Sequence, residues 1–250
     1  MGARNDVARY ARRLGDDALV LGQRLCEWCS NAPALEEDLA ISNTALDYLG
    51  RARLFYGYAG ELLGSTEDEL AFMRAEREFE NVLLVELPRG DFAFSMLRQY
   101  VLDQFEHAFF DQLAGSSDET LAAIAGKARK EVTYHLRRSG EWLKRLGLGT
   151  EESNQRAQTA LDELWGYVDE LFEMDDLERA LAEEGVAVQR AELQNVWRAE
   201  VMAAVQAAGL KVPETPWRVR GGREGVHKEH LGHMLAEMQY LQRAYPDLSW

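Results

Sequence analysis

Apolar residues recur every three or four positions along most of the chain, and the pattern never alternates as it would in a strand. Asp91 and Asp118 stand where helix N-caps are expected, and the Gly147–Thr150 stretch marks a helix end. The sequence therefore predicts an all-α protein. The predicted helices lie near residues 5–30, 34–63, 68–85, 91–114, 118–147, 154–174, 176–184, 189–209 and 226–244.

Four of these helices carry one acid within an apolar stripe, where leucine would be usual. Asp17 precedes Asp47 by 30 residues, and Asp103 precedes Glu131 by 28, so each acid is expected to meet its mate across an antiparallel helix pair. Two such pairs are typical of a ferritin-like four-helix bundle. We predict one ferritin-like domain over residues 1–250, with a core bundle at about 5–147 and additional C-terminal helices at about 154–244.

Such bundles bind two metal ions through carboxylates, two of which are followed three residues later by histidine. Here the corresponding tetrads are Asp47-Tyr48-Leu49-Gly50 and Glu131-Val132-Thr133-Tyr134. Because Gly50 and Tyr134 replace both imidazoles, the pattern favours a lost di-iron site, with no metal and no catalytic residue in this chain. We interpret Asp17, Asp47, Gly50, Asp103, Glu131 and Tyr134 as vestigial di-iron positions.

An alternative remains open, because His107 and His135 follow their acids by four residues and still share a helix face with them. A rearranged mononuclear site would make the chain a freestanding ferritin-like metalloenzyme or oxidase. Without metal, the acids need cations or raised pKa values. Arg24, Arg53, His107 and His135 are candidate cations nearby in sequence, while Asp16 beside Asp17 leaves the register of the first helix ambiguous.

The chain has 250 residues, 46% of them hydrophobic, and a net charge of −15. This charge disfavours nucleic acid and anionic membranes as partners, because both would repel the protein. No segment has transmembrane length, and the N-terminal stretch lacks an apolar signal core, so we expect a cytoplasmic protein. Cys26 and Cys29 form an isolated C-x-x-C late in a helix, and we interpret them as two buried, reduced thiols.

Three of the five histidines follow a glycine-rich run near the C-terminus. His227 continues an apolar stripe and is expected at a core edge or an interface. Together with His230, Arg220 and Arg223 it also forms a candidate anion site. Elsewhere, seven bases lie between Lys127 and Arg145, a pattern that fits either a solvated face or a surface that docks an acidic partner or the phosphates of an acyl-CoA.

Several long strings in the sequence are more specific than a short motif. They include Arg13-Leu14-Gly15-Asp16-Asp17, Gln23-Arg24-Leu25-Cys26-Glu27-Trp28-Cys29, Leu46-Asp47-Tyr48-Leu49-Gly50-Arg51-Ala52-Arg53, Asn81-Val82-Leu83-Leu84-Val85-Glu86, Tyr134-His135-Leu136-Arg137 and the run from Leu235 to Arg243. With these strings the chain resembles, over nearly its whole length, the C subunit of the multicomponent ring-1,2-phenylacetyl-CoA epoxidase of phenylacetate degradation.

The resemblance implies a structural, noncatalytic subunit that pairs with a catalytic ferritin-like A subunit. In such a complex the A subunit would hold the di-iron centre and the phenylacetyl-CoA, and a separate reductase subunit would supply electrons from NADPH through flavin and an iron-sulfur cluster. The complex would add one oxygen atom across the aromatic ring as a monooxygenase. This chain itself would carry no cofactor.

Overall fold

The computed structural model describes residues 2–214, 217–246 and 248, with side chains from residue 4 onward. Every regular element within this part of the chain is helical, which confirms the all-α class. None of these helices combines the length and the apolarity needed to cross a membrane. The α-helices are α1 (Gly2–Cys26), α2 (Leu35–Leu63), α3 (Leu83–Glu86), α4 (Phe92–Leu113), α5 (Glu119–Gly147), α6 (Glu151–Leu164), α7 (Asp176–Glu183), α8 (Arg190–Ala207), α9 (Glu229–Met238) and α10 (Tyr240–Ala244).

The chain forms two compact units. The N-terminal unit takes in residues 1–88 and 220–250, and the central unit takes in residues 89–219. In the N-terminal unit α1 packs along α2, and the buried side chains include Tyr10, Leu21, Ile41 and Phe55. The prediction of one domain over the whole chain stays a prediction.

The central unit is built on the pair of α4 and α5, against which α6 and α8 also pack. Its core contains an aromatic cluster in which the Phe172 ring contacts both Phe105 and Trp197, with ring centroids 5.4 and 5.2 Å apart. The Trp197 indole donates a hydrogen bond of 3.0 Å to the Val101 carbonyl, so this buried polar group is satisfied within the core.

The predicted caps of the central unit are confirmed. Asp91 accepts a hydrogen bond from the Phe94 amide at 2.8 Å, and Asp118 accepts one from the Leu121 amide at 2.9 Å. Each carboxylate therefore satisfies an otherwise unpaired amide of a first turn. α5 ends at Gly147, as the glycine-rich stretch indicates.

The predicted helix over 68–85 is wrong. A π-helical turn (Glu69–Met73) and a 3₁₀ turn (Glu76–Glu78) precede α3, and the backbone is extended at Arg74, Ala75, Phe79 and Val82. Two backbone amides of this segment donate to side chains of α1 instead of to carbonyls within a helix. Asp16 accepts from the Glu80 amide and Asp17 accepts from the Val82 amide, each at 2.8 Å. Periodicity cannot reveal such long-range competition for backbone donors.

Smaller departures affect three other predicted helices. α1 ends at Cys26 rather than near residue 30. The predicted helix over 154–174 ends at Leu164 and continues as the 3₁₀ turns Trp165–Tyr167 and Asp169–Phe172. The one predicted over 226–244 begins at Glu229 and divides into α9 and α10 at Gln239. Helix ends lie where capping and tertiary contacts decide, so spacing alone places them only approximately.

The prediction that Cys26 and Cys29 are buried is also wrong, since both are exposed free cysteines at the end of α1. Desolvation and the neighbouring Cys29 raise the pKa of the Cys26 thiol, which makes it a weaker nucleophile than an ordinary cysteine.

Candidate functional site

Asp16, not Asp17, is the fully buried acid of α1, and this resolves the ambiguous register. Its carboxylate forms an ion pair with Arg74 and also accepts a hydrogen bond of 2.6 Å from the Tyr56 hydroxyl. Burial and the adjacent Asp16 raise the pKa of Tyr56 well above its usual value, so the phenol stays protonated as a donor. Both oxygens of the Asp16 carboxylate therefore accept hydrogen bonds from groups within the N-terminal unit.

Asp17 lies beside this cluster and is bound by Arg223, whose Nη2 is 2.7 Å from Asp17 Oδ2. The same guanidinium donates to the carbonyls of Glu80 and Arg13. Arg223 thus links the segment before α9 to α1 and to the irregular stretch before α3. It is the cation that neutralises the first of the positions interpreted as vestigial, and sequence proximity missed it because 206 residues separate the two.

Arg24 and Arg53, two of the candidate cations predicted from the sequence, bind other groups of the N-terminal unit. Arg24 donates to the carbonyls of Glu86 and His230, and exposed Arg53 pairs with Glu67 at 2.8 Å. A third acid of this unit, Glu80, receives Arg9, Arg12 and Arg13. Burial alone would raise the pKa of Glu80, but these guanidiniums lower it to about 2.

Asp47 and Gly50 are half-buried on α2. The stripe predicted for this helix is wrong, because Leu39 and Leu54, which share its face, are exposed. The buried face of α2 instead contains Ile41, Thr44, Ala45, Tyr48, Arg51, Ala52, Phe55, Tyr56, Ala59 and Gly60. The sequence contains this face as a second apolar stripe, in which Ile41, Tyr48 and Phe55 recur every seven residues.

In the central unit Asp103 is fully buried, as its stripe predicts. It accepts hydrogen bonds from the Gln99 amide at 2.6 Å and from the Ser139 hydroxyl at 2.7 Å. Burial raises the pKa of Asp103 to about 6, despite the opposing effect of His135, which is buried nearby on α5. A carboxyl with this pKa changes its charge close to neutral pH.

Glu131 and Tyr134 lie on α5, and neither side chain is fully buried. Glu131 is mostly buried and is 3.6 Å from the ammonium of Lys127, one turn earlier. Tyr134 is exposed, and its ring contacts the guanidinium of Arg137 at 5.7 Å. His107 is half-buried on α4. An exposed phenol beside a cation resembles a surface contact more than a metal ligand.

Metal binding needs several ligand atoms that converge on one point. Among the described residues, no group of three or more His, Cys, Asp or Glu side chains is arranged to hold a metal ion. The carboxylates of Asp17 and Asp103 are bound by side chains and amides of their own units. The contacts of these two carboxylates are therefore ones that each unit supplies itself, and the absence of metal stays a prediction.

The candidate anion site contains two cations that already have anionic partners. His227 lies fully buried against Glu86, with Nδ1 2.8 Å from Glu86 Oε2 and Nε2 2.8 Å from the Phe79 carbonyl. Arg223 binds Asp17, whereas His230 is half-buried and Arg220 is exposed. The core-edge interpretation of His227 agrees with this burial, and the anion site stays a prediction.

Comparison with known proteins gives two findings. A model of the family described as phenylacetic acid catabolic protein matches residues 1–250. The chain belongs to this family. It is also 52% identical over 247 residues to the C subunit of the 1,2-phenylacetyl-CoA epoxidase of Escherichia coli (strain K12), an alignment that covers 98% of this chain and 100% of that protein.

Membership of the phenylacetic acid catabolic family confirms the resemblance identified from the sequence strings and, with it, the ferritin-like fold class. The relative is a named subunit of a larger enzyme, so this chain is the homologue of one part of an epoxidase.

Proposed function

We propose that this chain is a structural, noncatalytic subunit of a di-iron monooxygenase that epoxidises the ring of phenylacetyl-CoA, and that it pairs with the catalytic ferritin-like A subunit. The observation that carries the proposal is the 52% identity to the C subunit of an epoxidase along the full length of both chains. At this identity the fold and the surfaces used for assembly are expected to persist together.

The acids at the vestigial positions support the noncatalytic part of the proposal. In two of them both carboxylate oxygens already accept hydrogen bonds: Asp17 accepts from Arg223 and the Val82 amide, and Asp103 accepts from Gln99 and Ser139. In the sequence, Gly50 and Tyr134 follow Asp47 and Glu131 by three residues, the spacing at which di-metal bundles have imidazoles. The role of the chain would then be to support its partner, which would hold the metal and the substrate.

Reconstitution tests this proposal. The chain is co-expressed with the catalytic A subunit and the reductase of the same source, and epoxidation of phenylacetyl-CoA is measured with and without the chain. We expect one stable hetero-oligomer on size-exclusion chromatography and an activity that depends on both ferritin-like subunits. Separate elution at micromolar concentration, or full activity of the catalytic subunit alone, would contradict the proposal.

Metal content distinguishes the proposal from a freestanding metalloenzyme. The purified chain should contain less than stoichiometric iron or manganese and should show no oxygen-dependent turnover. Two tightly bound metal ions per chain, lost on mutation of Asp47 and Glu131, would overturn the noncatalytic assignment. A single bound ion that depends on Asp103 and His135 would instead support the rearranged mononuclear site.

A further inference from the structure

Helix α2 has two apolar faces on opposite sides. One face, which includes Ile41, Tyr48 and Phe55, is buried within the N-terminal unit, where α2 packs along α1. The opposite side contains the exposed leucines Leu35, Leu39, Leu46 and Leu54 and the half-buried Gly50, which we call the leucine face, and the exposed polar residues Asn43 and Arg53 lie between them.

The leucine face is coherent in geometry. Its residues are separated by four, seven, four and four positions, so they align along one side of the helix. Leu35 is 72% exposed, Leu39 57%, Leu46 64% and Leu54 39%. From Leu35 to Leu54 the face is about 29 Å long, which is enough for several turns of a partner helix to pack against it.

A helix that covers the core on one side is normally polar on the other. Scattered exposed leucines need no explanation, whereas an aligned set with roughly a few hundred square ångströms of apolar surface is as large as the patches that are often functional. The amount is comparable to the apolar part of one side of a standard protein interface. At Gly50 no atom lies within 4 Å of the position that a Cβ would occupy, so a partner backbone can approach closely there.

Charge indicates which kind of partner fits. The chain carries a net charge of −15, so two copies repel each other. The first turn of α2 adds Glu36, Glu37 and Asp38 beside the leucine face. A complementary surface would combine an apolar helix face with basic residues that meet this acidic end.

We infer that the leucine face of α2 is the surface on which a helix of the partner subunit packs, a helix with apolar residues every three or four positions and basic residues opposite the first turn of α2. This inference rests on the proposed function, because it takes the occupant to be another subunit of the same complex. Packing of this kind is the ridges-into-grooves contact of two helices, with Gly50 at the closest approach.

The decisive variant is Leu46→Arg, which places a charge at the centre of the leucine face. Its matched control is Leu148→Arg, since Leu148 at the end of α5 is also 64% exposed and lies outside α2. Both substitutions are at exposed sites, so both proteins should fold, and circular dichroism with thermal unfolding verifies this. Leu39→Arg serves as a second variant on the same face, since a base there would also face the basic residues expected on the partner.

Each variant is co-expressed with the catalytic A subunit, and the dissociation constant of the purified pair is measured. We expect Leu46→Arg and Leu39→Arg to raise it at least about tenfold, because each buries an unpaired charge in an apolar contact, whereas Leu148→Arg leaves it unchanged. If the wild-type pair forms and Leu46→Arg binds equally well, the inference is wrong while the proposed function stands.

Three other outcomes also decide the matter. If the wild-type chains do not associate, the proposed function fails and the inference fails with it. If Leu46→Arg and Leu148→Arg weaken the pair equally, the effect is not specific to α2 and the inference is overturned. If the isolated chain forms a dimer that only Leu46→Arg dissociates, while the pair with the catalytic subunit persists, the leucine face joins two copies of this chain instead.

Discussion

Asp16 and Asp103 are both fully buried carboxylates on long helices, yet the two units hold them by different means. In the N-terminal unit Asp16 receives a guanidinium, from Arg74, along with the Tyr56 hydroxyl and the Glu80 amide. In the central unit Asp103 receives the uncharged donors of Gln99 and Ser139, and burial raises its pKa to about 6.

The difference shows two ways in which a helical core can accommodate a buried carboxylate. An ion pair keeps the charge but makes each partner depend on the other. Neutral donors leave much of the desolvation cost in place, so the acid prefers its protonated form. The N-terminal unit should therefore respond most to mutation and the central unit most to pH.

The largest effect is expected on breaking the Asp16 pair. Arg74→Met should lower the free energy of unfolding by about 3–5 kcal/mol, because it leaves a carboxylate buried without its guanidinium. Chemical denaturation measures the change. The double variant Asp16→Leu/Arg74→Met should recover a large part of the loss, and a double variant as unstable as the sum of the two single ones would show that the pair is not coupled.

This prediction depends on a contact that only the structure provides. The repeated helix pairs, the all-α class and the burial of Asp103 follow from apolar spacing, which is local information. Arg74 and Arg223 lie 58 and 206 residues from the acids they bind, and their segments are irregular, so no periodicity places them. The leucine face likewise misled the prediction for α2, because an exposed apolar stripe and a buried one have the same spacing in sequence.

The next largest effect is expected in the central unit, where the contribution of Asp103 to stability depends on pH. Since the folded-state pKa of Asp103 is raised from 3.8 to about 6, its contribution to stability is fully present below pH 3.8 and is lost as pH rises through 6. In Asp103→Asn the side chain cannot ionise, so this loss of stability with rising pH is absent. Relative to the wild type, the variant should gain about 2.4 kcal/mol between pH 4 and pH 8.

Urea denaturation of both proteins across this pH range provides the measurement. Ser139→Ala provides a further test. Removing a hydroxyl that donates to the carboxylate should raise the pKa of Asp103 further and so enlarge the loss of stability as pH rises. A constant difference between Asp103→Asn and the wild type at every pH would mean that Asp103 does not titrate in this range.

We expect a pH-sensitive contact in the N-terminal unit as well, between His227 and Glu86. Burial by itself lowers the pKa of His227, but hydrogen bonds to Glu86 and to the Phe79 carbonyl, together with the charges of Glu86 and Glu76, raise it above 6.5. With acceptors at both ring nitrogens, the imidazolium is the form that satisfies the site. Its stabilisation is therefore complete below pH 6.5 and is lost as pH rises through the raised pKa.

His227→Gln should destabilise the protein by about 2 kcal/mol at pH 6, since the Glu86 carboxylate loses a buried donor. The difference from the wild type should shrink as pH rises to 9, and denaturant midpoints at several pH values record it. Glu86→Gln should show the same pH trend, and a difference that grows with pH would contradict the assigned protonation state.

The smallest effect is expected for Arg53, which sequence proximity nominated as a partner of the acids at the vestigial positions. The structure pairs it with Glu67 at 2.8 Å, at a site where the arginine side chain is 76% exposed. Arg53→Ala should therefore change the free energy of unfolding by less than about 1 kcal/mol, because water and salt screen exposed pairs. The same denaturation assay at low and high salt tests this, with Arg74→Met as the buried counterpart. If Arg53→Ala proved as damaging as Arg74→Met, burial would not be what separates the two arginines, and the contrast between paired and exposed charges in this unit would fail.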